Sequence, residues 1–421
     1  MTTSNKIRIH DAPAGSGRRR GKAAPAWLVL LLLTAISASC GWGLYSLSQG
    51  SASVFLTRLA FEYFLAGESK ELQEQSSSGL SSTYYFTSYY LNGLLSAAEG
   101  TGSDRILERA IRAMDTMVST AHDFQENGRT YKAWKPFFIT PDSTLAHPSL
   151  HYTFQASVPL ARAAAIIMAR PEWRTRYAAA ARRYTAFVDA TVIQYWCRSQ
   201  LHGDIPWVNP DHFPIWNDNG ANLGLITAFL YQATGDRRYA DMARRIGRAF
   251  ESKIKPAGRG WIWENQTIPI GSDTDNTPGS VGNQAGVPDT SHANREAFLM
   301  MALHEAGIMF TQADLERMAA TLTDTIWDRS SDSPSFANYL NGSNAPYRVY
   351  KEPGLNGSIY HGWALMGGYS PKAQQVLIYL LRASLKGRMN PAIERNITGY
   401  GGRLGLCGHM LRNFALLRRQ S

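Results

Sequence analysis

The chain has 421 residues, enough for one large domain or two of medium size, and its hydrophobic share of 44% is ordinary for a globular protein. The net charge is +10, but residues 1–25 hold six Lys or Arg against the single acid Asp11, so half of it sits in the first tail. No Lys/Arg run follows, which speaks against nucleic-acid binding and leaves room for an anionic substrate.

In chain order, residues 1–25 read as a disordered basic tail. Residues 26–47, AWLVLLLLTAISASCGWGLYSL, carry no charge and are long enough to cross a bilayer. Arg18, Arg19, Arg20 and Lys22 stand just before the run, which predicts the N-terminus inside and everything after it outside. Ser37, Ala38 and Ser39 would equally suit a cleaved secretory signal. A lipidated Cys40 fits less well, because Ser37 stands where such sites carry a Leu-like residue. Either way the remainder is expected to be exported, as a membrane-anchored, periplasmic or secreted protein. Cys197 and Cys407 make no disulfide framework in so long a chain, and are expected to be separate buried thiols.

Residues 48–83 are expected to hold one helix, from about 54 to 72, followed by a polar linker. From residue 84 onward one pattern repeats: an aromatic, glycine-bearing lead into an apolar helix, a short turn, and a second helix. Its clearest copy is residues 217–254, NDNGANLGLITAFLYQATGDRRYADMARRIGRAFESKI. Leu223, Leu225, Ile226, Phe229 and Leu230 stripe the first helix. After the turn Thr234-Gly235-Asp236, the second carries Tyr239, Met242, Ala243, Ile246 and Phe250. Spacings of three and four put one apolar stripe on each helix. Such a hairpin cannot bury its stripe alone and calls for neighbours of its own kind. Further hairpins are predicted at 84–124, 151–196 and 291–328, a looser one from Tyr360, and a last helix over about 401–419. No β-rich segment is long enough for a second domain. The long Gly/Pro/Asp/Asn-rich connections 198–216, 255–290 and 329–358 each lead into a hairpin, so they are expected to line one mouth.

This wording, with the turn Leu-Tyr-Gln-Ala-Thr-Gly-Asp-Arg-Arg-Tyr at 230–239, resembles the six-hairpin, (α/α)6 toroid proteins of carbohydrate metabolism. The resemblance covers residues 84 to 419 and implies an all-α fold: a toroid with long loops on one face, spanning 84–421. The fold hosts hydrolases, polysaccharide lyases and epimerases, so chemistry must come from individual residues.

The most pointed motif is Val287-Pro-Asp-Thr-Ser-His-Ala-Asn-Arg-Glu296. Asp289, Thr290 or Ser291 can cap the following helix, which sets His292, Arg295 and Glu296 on its first turns. The segment is similar to the Asp-Ser-His stretch of toroid polysaccharide lyases, the nearest group, and to the Asp-Thr-Ser stretch of unsaturated glucuronyl hydrolases. A second cluster, Asn356-Gly-Ser-Ile-Tyr360-His361-Gly-Trp363, opens a helix after a glycine-rich loop. A lyase acting on a uronate needs a base for the C5 proton, an acid for the leaving oxygen and a group that neutralises the carboxylate. By the resemblance, Tyr360, His292, Arg295 and either Asn222 or His361 fill those roles beside Asp289, with no metal and no cofactor. A third cluster packs His202, Asp204, Trp207, Asp211, His212, Trp216, Asn217 and Asp218 into seventeen residues. Trp faces stack on sugar rings and Asp or Asn bind hydroxyls, while Asp204, Asp211 or Asp218 would also serve as the paired carboxylates of a glycosidase. Trp261-Ile-Trp263-Glu264, near Asp273 and Asp275, reads as a short β-hairpin covering the cleft. Glu296 and Trp263 complete the expected substrate contacts. His147 and His151 are spaced like a metal pair but lack a third ligand, and His409 reads as packed core. The leading expectation is β-elimination on a uronate-containing polysaccharide. Glycoside hydrolysis comes second, a non-catalytic glycan-binding or envelope-assembly protein third, and C5 epimerisation last.

Overall fold

The computed structural model describes residues 45–126, 128–135, 148–197, 217–264, 287–346, 354–359, 361–389 and 402–420. Among them no helix is long and apolar enough to cross a membrane. The apolar run 26–47 lies outside them up to residue 44. The chain divides into residues 1–52 and a large unit, Ser53–Ser421.

The elements follow in chain order, the first helix entering the large unit at Ser53. Helix α1 spans Tyr45–Gly67, α2 Ser69–Ser76, α3 Ser81–Thr101 and α4 Asp104–Ser119. After the hairpin β1 (His122–Glu126) and β2 (Arg129–Ala133) come α5 (Leu150–Ala169), α6 (Pro171–Val188), α7 (Asn217–Thr234) and α8 (Arg237–Glu251). A second hairpin, β3 (Ile254–Ala257) and β4 (Gly260–Trp263), precedes α9 (Asn294–Glu305) and α10 (Gln312–Ala320). Helices α11 (His361–Leu365), α12 (Pro371–Leu385) and α13 (Gly402–Gln420) end the chain.

The 217–254 unit shows why the hairpins form. Gly235 takes the left-handed conformation, φ 73°, that closes α7. Asp236 then accepts the Arg238 N–H at 2.9 Å and starts α8. Of the two expected stripes, Leu223, Leu225, Ile226, Phe229, Leu230, Tyr239, Ala243, Ile246 and Phe250 are buried, and Met242 is half-buried.

Six helices make the inner ring. α3 packs on α5, α5 on α7, α7 on α9, α9 on α11, α11 on α13, and α13 returns to α3. The partners α4, α6, α8, α10 and α12 each follow an inner helix. Phe61, Phe64 and Leu65 of α1 are buried in the same core, and the Arg403 guanidinium of α13 lies 5.7 Å from the Phe64 ring. Residues 53–76 are therefore part of the toroid rather than a helix and linker ahead of it. The seam between α3 and α13 is closed by glycine. A Cβ on Gly408 would lie 2.1 Å from the Gly93 carbonyl oxygen, and one on Gly93 would lie 2.6 Å from Gly405 Cα.

Among the described residues the strands form two short hairpins, antiparallel in both cases, besides a few isolated β-bridges. The second is the hairpin expected at Trp261–Trp263. The first, 122–133, was not expected, because its alternation is only five residues long on each strand. Cys197 and Cys407 are not joined, and Cys407 is the buried one of the two.

Candidate active site at the mouth of the ring

Inner and outer helices alternate along the chain, so the inner helices run in one sense and their first turns share one end of the ring. Side chains from those first turns meet there. The Tyr85 ring (α3) lies 5.1 Å from the His151 ring (α5), and His151 Nδ1 bonds Asn219 Oδ1 (α7) at 2.8 Å. Arg295 (α9) is buried; its Nε donates to Gln155 Oε1 (α5) at 2.9 Å and its Nη2 to the Tyr85 hydroxyl. The guanidinium also stands 5.5 Å from the Tyr85 ring centroid. His361 (α11) is stacked on Tyr89 (α3), with centroids 4.6 Å apart.

Asp289 Oδ1 accepts the backbone N–H of Ser291 and of His292, each at 3.0 Å, in an Asx-type turn leading into α9. Its Oδ2 accepts the His292 Nδ1–H at 2.6 Å. Thr290 clamps the turn from both sides: its N–H donates to Asn338 O at 2.8 Å and its hydroxyl to Ala337 O at 2.7 Å. Its carbonyl takes the Trp363 indole N–H at 2.8 Å. The Asp289 carboxylate is buried while the His292 side chain is 46% exposed. Burial disfavours the carboxylate charge, but the His292 ring and the donors around it outweigh burial and hold Asp289 below the usual carboxylate range. A carboxylate on Nδ1 keeps a proton on that nitrogen and fixes the orientation of the His292 ring. A carboxylate–imidazole pair of this kind can take part in proton transfer.

Beneath the mouth a polar chain runs through the ring. His361 Nδ1 is 2.6 Å from His409 Nε2, and His409 Nδ1 is 2.8 Å from Ser96 Oγ. Arg162 donates to Ser96 Oγ at 2.8 Å and to Glu99 Oε2 at 2.6 Å. Arg412 donates to the same Glu99 oxygen at 3.1 Å and to Glu305.

Of the expected residues, Asp289, His292, Arg295, Glu296 and His361 all belong to the first turns of α9 and α11 or the turn before them. Glu296 and Asn222 are buried, and among the described residues neither amide atom of Asn222 has a hydrogen-bond partner. Trp263 needs correction as a sugar-stacking residue. It has no exposed surface, stands edge-on to Phe250 at 5.3 Å, and is stacked with Trp363 at 6.4 Å. An indole covered on both sides offers no sugar platform, and its alternation with Trp261 reflects the strand period, not a cleft. Tyr360, Trp207, Asp211, Trp216, His147 and Asp204 lie outside the described residues. Asn217 and Asp218 begin α7, which places their backbone at the mouth. His409 is core, as expected, but it is also hydrogen-bonded to His361. Sequence reading missed Tyr85, Tyr89, His151 and Gln155. The signal was the run Tyr84-Tyr85-Phe86 through Tyr90, whose excess of hydroxyls over aliphatic side chains is unusual for a purely apolar stripe.

No family model and no curated protein matches this chain. Among solved structures, the chain is similar to an inactive variant of an α-1,6-mannanase of glycoside hydrolase family 76 from Salegentibacter, in complex with α-1,6-mannotriose. That match has 12% identity and a TM-score of 0.38, covering 83% of this chain and 98% of the other. A family 76 glycoside hydrolase from a bovine Bacteroides thetaiotaomicron strain matches at 12% identity and a TM-score of 0.37, over 80% and 69% of the two chains.

Proposed function

We propose that this protein is an exported enzyme that cleaves a uronate-containing polysaccharide by β-elimination at the mouth of the ring. The observation that carries the reading is the Asp289–His292 pair, a buried carboxylate hydrogen-bonded to Nδ1 of a half-exposed imidazole. In this reading His292 Nε2 takes the C5 proton, the electron pair forms the C4–C5 double bond, and the C4–O bond breaks. Tyr360 returns a proton to the leaving oxygen, while Arg295 and His361 face the sugar carboxylate and stabilise its charge in the transition state. Asn222 and the residues opening α7 bind hydroxyls. Arg18 to Lys22 ahead of the uncharged run 26–47 support export.

A second reading is glycoside hydrolysis. It is favoured by the position of Asp218 in the first turn of α7, next to Asn219, after a segment holding Asp204 and Asp211.

The test is a panel of uronate-containing and neutral glycans treated with the full-length chain. Elimination yields new reducing ends together with the ultraviolet absorbance of a conjugated double bond. Hydrolysis yields reducing ends alone, and neither signal on any glycan would end both enzymatic readings. A reporter fused after Ser421 tests export: it must be active only outside the cytoplasm.

A further inference from the structure

We infer that Ser96 and His409 are positioning residues that hold His361 in the Nε2–H tautomer, so that His361 serves the mouth as a neutral hydrogen-bond donor and never as a base. The inference deepens the reading above, because it assigns His361 a role toward substrate oxygen.

The argument is a count of donors. Arg162 can only donate, and its Nη2 points at Ser96 Oγ at 2.8 Å. The Ser96 hydroxyl has one proton of its own, and among the described residues the acceptor it meets is His409 Nδ1, also at 2.8 Å. If Ser96 donates, His409 Nδ1 is bare and its proton is on Nε2. That Nε2–H then donates to His361 Nδ1 at 2.6 Å, and the His361 proton must be on Nε2. The opposite polarity would leave the Ser96 proton without an acceptor inside a fully buried site, at a cost of about 1–3 kcal/mol. It would also leave His361 Nε2 as an unpaired acceptor. The first polarity leaves one group over, the His361 Nε2–H, which has no partner among the described residues.

Both rings are neutral. Burial, then the positive charges of Arg162 and Arg295, push His361 down to about 3. Burial and the neighbouring His361, Arg162 and Arg412 push His409 well below its ordinary value. A neutral ring of fixed tautomer that opens α11 at the mouth and carries an unsatisfied N–H suits one kind of ligand atom: an oxygen with lone pairs, as in a sugar carboxylate or hydroxyl. His361 thus keeps its proton on Nε2, a buried atom, because an imidazole N–H owns its Nδ1.

The experiment is two-bond ¹H–¹⁵N correlation NMR on full-length chain with ¹⁵N-labelled histidine rings, assigned by the signals lost in His361→Gln and in His292→Gln. His361 is expected to show a protonated Nε2 and a bare Nδ1, unchanged through the range where an ordinary histidine titrates, around pH 6.5. A protonated Nδ1 on His361, or an ordinary titration, overturns the inference. Ser96→Ala removes the proton that sets the chain's polarity. It is expected to give a mixture of His361 tautomers and a roughly 10-fold fall in turnover, the scale of supporting groups behind a site residue, while Ser96→Thr restores both. A pure Nε2–H tautomer in Ser96→Ala also overturns it. The wild-type spectrum decides the matter alone should Ser96→Ala not fold. The tautomer result stands whether or not a cleaved glycan is found, so failure of the enzymatic reading is separately visible.

Discussion

Replacing Asp289 by Asn should convert the proposed base into a donor while leaving the fold in place. Asp289 Oδ1 accepts two backbone N–H groups at 3.0 Å, and an amide can satisfy them only with its own oxygen. The Asn NH2 is thereby forced to the side where Oδ2 stood, 2.6 Å from His292 Nδ1. Two donors cannot face each other, so the His292 proton moves to Nε2 and that nitrogen can no longer act as a base. The same substitution behind the serine-protease histidine costs about 10⁴-fold in turnover, and a loss on the order of 10³ to 10⁴-fold is expected here. The stability cost is much smaller. One charge-assisted bond to a half-exposed ring becomes a neutral one, which is worth about 1 kcal/mol. That difference depends on pH in a definite sense. The folded carboxylate titrates below its unfolded value of about 3.9. Its contribution is present above that value and is lost as pH falls through the folded one. Melting temperatures of wild type and Asp289→Asn should therefore differ by roughly 1 °C at neutral pH and converge in acid. Turnover is measured on the glycan found in the panel, with melting curves alongside. A variant within about threefold of wild-type turnover would refute the assignment of His292 as a base oriented by Asp289.

Three further outcomes follow from the packing. Gly408→Ala should destabilise by about 1–3 kcal/mol or more, since its Cβ would meet the unyielding Gly93 carbonyl at 2.1 Å. Gly405→Ala, whose Cβ meets Tyr89 O at an ordinary 3.6 Å, should be neutral or gain up to about 1 kcal/mol of helix propensity, and thermal melts of the pair check the seam. Glu99→Gln should cost about 3–5 kcal/mol at neutral pH, because Arg162 and Arg412 would share a buried site without their common carboxylate. Burial raises the Glu99 pKa, but the two guanidiniums outweigh it and lower it, so the wild-type advantage in chemical denaturation should shrink as pH falls below about 4.3. Asn222→Leu should leave stability unchanged or raised, since the buried amide makes no hydrogen bond among the described residues, while KM for glycan rises at least several-fold. An unchanged KM would remove Asn222 from the site.

What the sequence made legible is what a short window encodes. The α7–α8 hairpin could be read because its stripe, its left-handed Gly235 and its capping Asp236 lie within a few residues of one another. The Asp289–His292 pair could be read for the same reason, as an i, i+3 contact at a helix start. The polar chain could not. Inner helices of a ring are covered on every side, so they look apolar throughout, and a Ser, Glu or Arg within them looks like noise in the stripe. Its meaning lies in partners such as Ser96 and His409, 313 positions apart and brought together only when α13 closes the ring on α3. Trp263 fails in the opposite direction. Its strand alternation was legible, but which face of a two-stranded hairpin is covered depends on Phe250 and Trp363. The asymmetry has a physical origin. Closure of the ring supplies both the glycine seam and the histidine relay, so the contact that completes the fold also sets the proton position at the mouth. Damage at the α3–α13 seam should accordingly reach the chemistry first through His409 and His361, because the Asp289–His292 bond is closed within one turn and its tie to α11 runs through the Thr290 carbonyl and Trp363.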